Sequence, residues 1–75
     1  MAVSGFSTRL RAARDRLGLS RRYVAAEIGC DIRTLARWEN GDYEPSIPTL
    51  ARLADLYGVG ANYLIHGSSK NGNAA

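Results

Sequence analysis

Residues 18–41, GLSRRYVAAEIGCDIRTLARWENG, decide the fold. Two short helical patterns stand in this stretch. Each opens on a residue whose side chain can accept an orphan backbone N–H of the first turn, Ser20 for one and Asp31 for the other. Leu19 and Val24 flank the first start at the spacing of a hydrophobic staple, and Cys30 and Leu35 flank the second. Val24, Ala25 and Ile28 share one face of the first pattern, as Leu35 and Trp38 do in the second. Gly29 and Gly41 follow as stops, because glycine takes the left-handed conformation that closes a helix at little steric cost. Asp31 also suits the positive end of a helix dipole.

The helical rhythm continues on both sides. Upstream, Phe6, Leu10, Ala13 and Leu17 recur at helical spacing and Gly18 stops the run. At about 100° per residue these four lie within roughly 60° of one another, while Arg14 falls about 70° from the centre of the stripe, at the core margin. Arg11 and Asp15 point to solvent. Downstream, residues 42–45 form a connection, and Ser46 caps a fourth helix that tolerates Pro48 in its first turn. Ile47, Leu50, Leu53, Ala54 and Tyr57 make its core stripe, and Gly58 ends it. A short fifth helix over 61–65 brings Tyr63 or Leu64 to close the core. Two-residue alternation is absent. The expectation is an all-α, compact five-helix bundle over 1–66, followed at 67–75 by a flexible polar tail or the start of a linker, GSSKNGNAA.

Composition narrows the function. Seventy-five residues with 45% apolar content support one core and leave no room for a deep catalytic pocket. Net charge is +3 but uneven: residues 1–41 set eight arginines against Asp15, Glu27, Asp31 and Glu39, for +4, and the remainder carries −1. A positive half points to a phosphate-rich partner, and arginine suits forked hydrogen bonding to phosphate or guanine. Cys30 is the sole cysteine, so an internal disulfide or a cysteine-cluster zinc site is excluded. With one histidine and no catalytic triad or metal-ligand cluster, no enzymatic activity, cofactor or metal is expected. No apolar run approaches the ~20 residues that span a membrane, and MAVSGFSTRLR lacks the apolar segment of a signal peptide. The expected setting is cytoplasmic, without membrane contact.

The second and third helices meet at a short corner around Gly29, the spacing of a helix-turn-helix unit. In that unit the second helix enters the DNA major groove and the first lies across the backbone. Here the inserted helix, about 32–39, would offer Ile32 and Arg33 at its start and Ala36 and Arg37 one turn on, with Leu35 and Trp38 behind. A lone exposed arginine is ordinarily a solvated charge, and Arg9, Arg11 and Arg16 are read that way. Arg33 and Arg37 differ because their place in the motif adds information that charge does not. Trp38 is read as core rather than as a stacking platform, and Cys30 as a small buried hydrophobe. His66 falls where a helix C-terminus favours a cation. Thr34 is open between phosphate contact and a plain helix-start role, and Tyr43 between phosphate donation and loop packing.

Leu10 through Leu17 before Gly18-Leu19-Ser20, Ala25, Ile28-Gly29, Thr34-Leu35, Arg37-Trp38-Glu39-Asn40-Gly41, Pro45-Ser46 and Gly58-Val59 stand in a recognisable order. Over residues 6–67 the chain resembles the Cro/phage-repressor (Xre-like) family of helix-turn-helix DNA-binding domains, which are five-helix bundles. The resemblance implies double-stranded DNA as partner and base reading by Ile32, Arg33 and Arg37, beside which Ala36 stands as a further base-reading candidate from its place in the motif. It places Arg21 and Asn40 against phosphates, with the N–H groups near Gly41 matching a backbone-gripping turn, and Ser20, Arg22, Thr34 and Tyr43 are the further phosphate-contacting candidates around them. Arg14 and Glu39 match a family ion pair that bridges the first helix to the end of the third. Two departures stand out. Arg21 replaces a frequent glutamine, and Asp42 and Glu44 flank Tyr43 in a loop that is basic in many relatives. The implied function is a sequence-specific transcriptional repressor or regulator of phage or bacterial type. It would bind a palindromic operator as a homodimer with half-sites about 34 Å apart, through a surface near Tyr63 and Ile65. The alternative is an antitoxin-like or other interaction module with a protein partner and secondary DNA binding. A non-specific nucleoid binder is disfavoured by the modest net charge.

Overall fold

The computed structural model describes residues 5–67, in which five helices follow one another: α1 (Phe6–Arg16), α2 (Arg21–Ile28), α3 (Ile32–Asn40), α4 (Ile47–Tyr57) and α5 (Ala61–His66). No strand occurs among the described residues. Of the stretch expected as a tail, only Gly67 lies within them.

Helix starts are fixed locally. Ser20 Oγ accepts the Tyr23 N–H at 3.0 Å, Asp31 Oδ1 accepts the Arg33 N–H at 2.7 Å, and Ser46 Oγ accepts the Thr49 N–H at 3.4 Å. Each satisfies a first-turn donor that the helix itself cannot. The end of α1 is a paired closure around Gly18, at φ 71°: the Gly18 N–H donates to Asp15 O at 2.9 Å and the Leu19 N–H to Arg14 O at 3.2 Å. That closure stops α1 at Arg16, so Leu17 is carried off the apolar stripe and is 47% exposed, against the sequence expectation. Leu19, past the turn, packs on the core instead.

One core joins all five helices. Phe6, Leu10 and Ala13 meet Val24, Ile28, Leu35, Trp38, Leu50, Leu53, Ala54, Tyr57 and Leu64. Leu10, Leu35, Leu53 and Leu64 have no exposed surface, and truncating any one to alanine costs about 2–5 kcal/mol. Of the two candidates on α5, Leu64 fills the core and Tyr63 sits half-buried beside it. Ile47 departs from expectation: it is 74% exposed, because α4 begins at this residue and the interior reaches only as far as Leu50, one turn on. Cys30 lies half-buried at the rim rather than inside, and that burial pushes its thiol pKa up.

Arg9, read from the sequence as a solvated charge, instead closes α5. Its Nε donates to Leu64 O at 3.0 Å and its Nη2 to Ile65 O at 2.7 Å, satisfying last-turn carbonyls that have no partner in the helix. Gly67, at φ 81°, passes so close that a Cβ there would stand 2.8 Å from Arg9 Nη1. Beneath α3, the Tyr57 ring is buried and its hydroxyl has no hydrogen-bond partner among the described residues. Desolvation, reinforced by the Glu39 charge, pushes this phenol up to about 12.

Candidate nucleic-acid interface

α2 and α3 turn about Gly29, at φ 88°, where the Gly29 and Cys30 N–H groups both donate to Ala25 O, at 2.8 and 3.0 Å. Asp31 then starts α3 in extended backbone. α3 rests on the core through Leu35, Trp38 and the carboxylate of Glu39, all buried. The opposite side carries Ile32, Arg33 and Arg37, all exposed, with Ala36 half-buried between them. This division is what a 3.6-residue repeat produces when apolar residues occupy one stripe.

Two of the outward side chains have local partners. Arg33 folds back over the helix start, its Nε 3.3 Å from Asp31 Oδ1 and its Nη2 3.5 Å from Asp31 Oδ2. The N–H and guanidinium of Arg33 hold the Asp31 carboxyl below its usual range, and the carboxylate raises the Arg33 pKa in return. The Arg37 guanidinium lies over the Tyr43 ring, 5.7 Å from its centroid, within cation–π range. Tyr43 is 61% exposed, so its ring covers the arginine and not the core.

Glu39 anchors the back of the helix. Arg14 Nε donates to Oε2 at 2.7 Å and Arg14 Nη2 to Oε1 at 2.9 Å, a two-pronged fork between buried side chains. Arg14 Nη1 also donates to Leu19 O at 2.8 Å, so the guanidinium spans the α1–α2 turn and the end of α3. A third donor reaches the same carboxylate: Arg21 Nε lies 2.9 Å from Oε1. Burial alone would raise the Glu39 carboxyl, but these hydrogen bonds outweigh it and its pKa is lowered. Arg14, held chiefly by its hydrogen bonds to Glu39 against the opposing effect of burial, is raised.

The structure distributes the remaining sequence candidates as follows. Ser20 and Arg22 are exposed at the start of α2, and the Ser20 hydroxyl, although it accepts from Tyr23, keeps its own proton to donate. Arg21 is only partly exposed because its Nε is engaged by Glu39, an association the sequence reading missed. Thr34 is half-buried, and Asn40 is exposed at the last position of α3. The turn after it differs from expectation. The Gly41 and Asp42 N–H groups donate to Trp38 O at 3.3 Å and Arg37 O at 3.0 Å, closing the helix instead of facing outward. Tyr63 and Ile65 are half-buried against their own core. Among the described residues there is no group of three His, Cys, Asp or Glu placed to hold a metal ion, and no helix long and apolar enough to cross a membrane.

Comparison with known proteins agrees with this geometry. A family model described as helix-turn-helix, HTH_3, matches residues 10–64. The SPbeta prophage-derived uncharacterized HTH-type transcriptional regulator YonR of Bacillus subtilis (strain 168) is 30% identical over 63 residues, covering 84% of this chain and 58% of that protein. The crystal structure of apo-HppE aligns at a TM-score of 0.76 and 29% identity, over 87% of this chain and 36% of the other. The chain thus spans less than two thirds of either relative.

Proposed function

The chain belongs to the Cro/Xre-like helix-turn-helix family, and from that premise we propose that it is a sequence-specific double-stranded-DNA-binding regulator of transcription. α3 enters the major groove, where Ile32, Arg33, Ala36 and Arg37 meet base edges. The observation that carries this reading is the two-sidedness of α3. Leu35, Trp38 and Glu39 fix it to the core while Arg33 and Arg37 stay outside. An arginine fork bonds guanine O6 and N7 together, and the Ile32 side chain suits a thymine methyl. Ser20, Arg21, Arg22, Thr34, Asn40 and Tyr43 form the phosphate-contacting border, which sets register without reading sequence.

The Arg14–Glu39 fork acts here as the brace that sets the angle of α3 against α1. Regulation follows from occupancy of an operator, with no chemistry performed on the DNA, and repression is its simplest form. A symmetric dimer on two half-sites about 34 Å apart completes the reading, in a cytoplasmic setting. Selection of bound duplexes from a randomised pool tests it. A recovered consensus with a palindromic repeat supports both sequence reading and dimerisation, and an unenriched pool would sink the proposal.

A further inference from the structure

The outward face of α3 carries a carboxylate among its arginines. An anion beside the DNA is repelled by phosphate, so Asp31 weakens the electrostatic attraction that most of this surface supplies. Capping does not require it, since Ser20 and Ser46 cap α2 and α4 as neutral hydroxyls. What distinguishes Asp31 is that its second engagement is with a guanidinium of the outward face. The carboxylate accepts the Arg33 backbone N–H at 2.7 Å and also lies 3.3 Å from Arg33 Nε and 3.5 Å from Nη2. Both side chains are largely exposed, 82% for Arg33 and 51% for Asp31, so the pair stands on the surface as a unit.

We propose that Asp31 and Arg33 together read one base step of the operator: guanine under Arg33, and next to it a base that presents an amino group in the major groove, cytosine or adenine, under Asp31. This rests on the placement of α3 in the groove given above. The chemistry of the two groups sets the preference. A guanidinium only donates, which matches the O6 and N7 acceptors of guanine. An ionised carboxylate only accepts, which matches the N4 amino group of cytosine or the N6 amino group of adenine. Guanine and thymine offer it only acceptors or a methyl group and are rejected at that position. The two side chains are in direct contact, with Arg33 Nε 3.3 Å and Nη2 3.5 Å from the Asp31 carboxylate oxygens, so the base edges within their reach are neighbours. Asp31 is also a positioning residue, because it draws the fork of Arg33 back over the first turn of α3, where base edges are met.

The test compares the full chain with its Asp31→Ser variant, which keeps an N-capping hydroxyl. Both are presented with a pool of duplexes carrying a randomised core, followed by binding curves on the recovered site and its three variants at the position assigned to Asp31. Wild type is expected to discriminate cytosine or adenine from guanine or thymine by about tenfold. The variant should lose most of that preference while binding random duplex more tightly, through loss of a negative charge. Loss of the cap alone would weaken every site equally and lower the melting temperature, so the base-preference profile separates the two roles. If the variant retains the wild-type profile while wild type binds a defined site, this proposal falls and the DNA-binding reading stands. If wild type enriches no duplex at all, both fall.

Discussion

Arg14→Met removes one guanidinium from the buried junction of α1 and α3 while keeping an apolar stem of similar length. The lost interactions are the fork to Glu39 at 2.7 and 2.9 Å and the bond to Leu19 O at 2.8 Å. The Glu39 side chain has no exposed surface and that of Arg14 only 9%, so solvent cannot replace the missing partner. Breaking one member of a buried pair costs about 3–5 kcal/mol. Arg21 still reaches Oε1, but its side chain is 34% exposed, and pairing at that exposure offsets no more than about 1 kcal/mol. The expected loss is therefore about 3 kcal/mol, from a domain whose size implies a total of roughly 4–11 kcal/mol. Melting should fall by roughly 12–24 °C. Trp38, the only tryptophan, is buried one residue from Glu39 and reports unfolding in urea by fluorescence. The double variant Arg14→Met/Glu39→Leu should recover much of the loss, since an apolar replacement of the whole pair is often neutral. Acid titration gives an independent check. The lowered Glu39 pKa means its contribution is complete above the unfolded carboxyl value of about 4.3 and disappears as pH falls through the folded value. The gap between wild type and Arg14→Met should therefore hold down to about pH 4.3 and narrow only below it, as Glu39 takes up its proton in the folded state. A variant within 1 kcal/mol of wild type at neutral pH would refute the brace.

Arg33→Ala should weaken binding to the selected site by about 1–3 kcal/mol and relax one base preference, whereas Arg21→Ala should weaken all duplexes alike and reduce the salt slope by about 1; equal losses for both, on specific and random DNA, would undo that division of roles. Tyr57→Phe removes a buried hydroxyl that has no partner among the described residues and should raise stability by about 1 kcal/mol in the same urea assay, so a loss would mean the hydroxyl is hydrogen-bonded in solution. Arg9→Met takes away the donors to Leu64 O and Ile65 O. Removing such charged hydrogen bonds should cost about 1.5–3 kcal/mol and speed amide exchange in α5 before α3; uniform protection across both helices would contradict the assignment.

Helix existence, starts and stops were readable residue by residue, because each depends on neighbours within one turn. Ser20, Asp31 and Ser46 cap where their side chains reach two or three residues ahead, and Gly29 and Gly41 close helices at positive φ. The apolar stripes of α2 and α3 and the outward position of Arg33 and Arg37 follow from the same short-range periodicity. Periodicity assigns a side chain to a face but does not say how far the neighbouring helix extends, which is why Leu17 and Ile47 were misplaced at the ends of their stripes.

Partnerships across the chain needed the folded arrangement. Arg9 meets carbonyls 55 and 56 positions away, and Arg21 joins Glu39 across 18. Nothing local distinguishes these arginines from Arg11 or Arg16 on the surface of α1. The interhelix angles and distances set by core packing bring some cations to an acceptor and leave others in water, and those angles are a property of the whole interior rather than of any single segment.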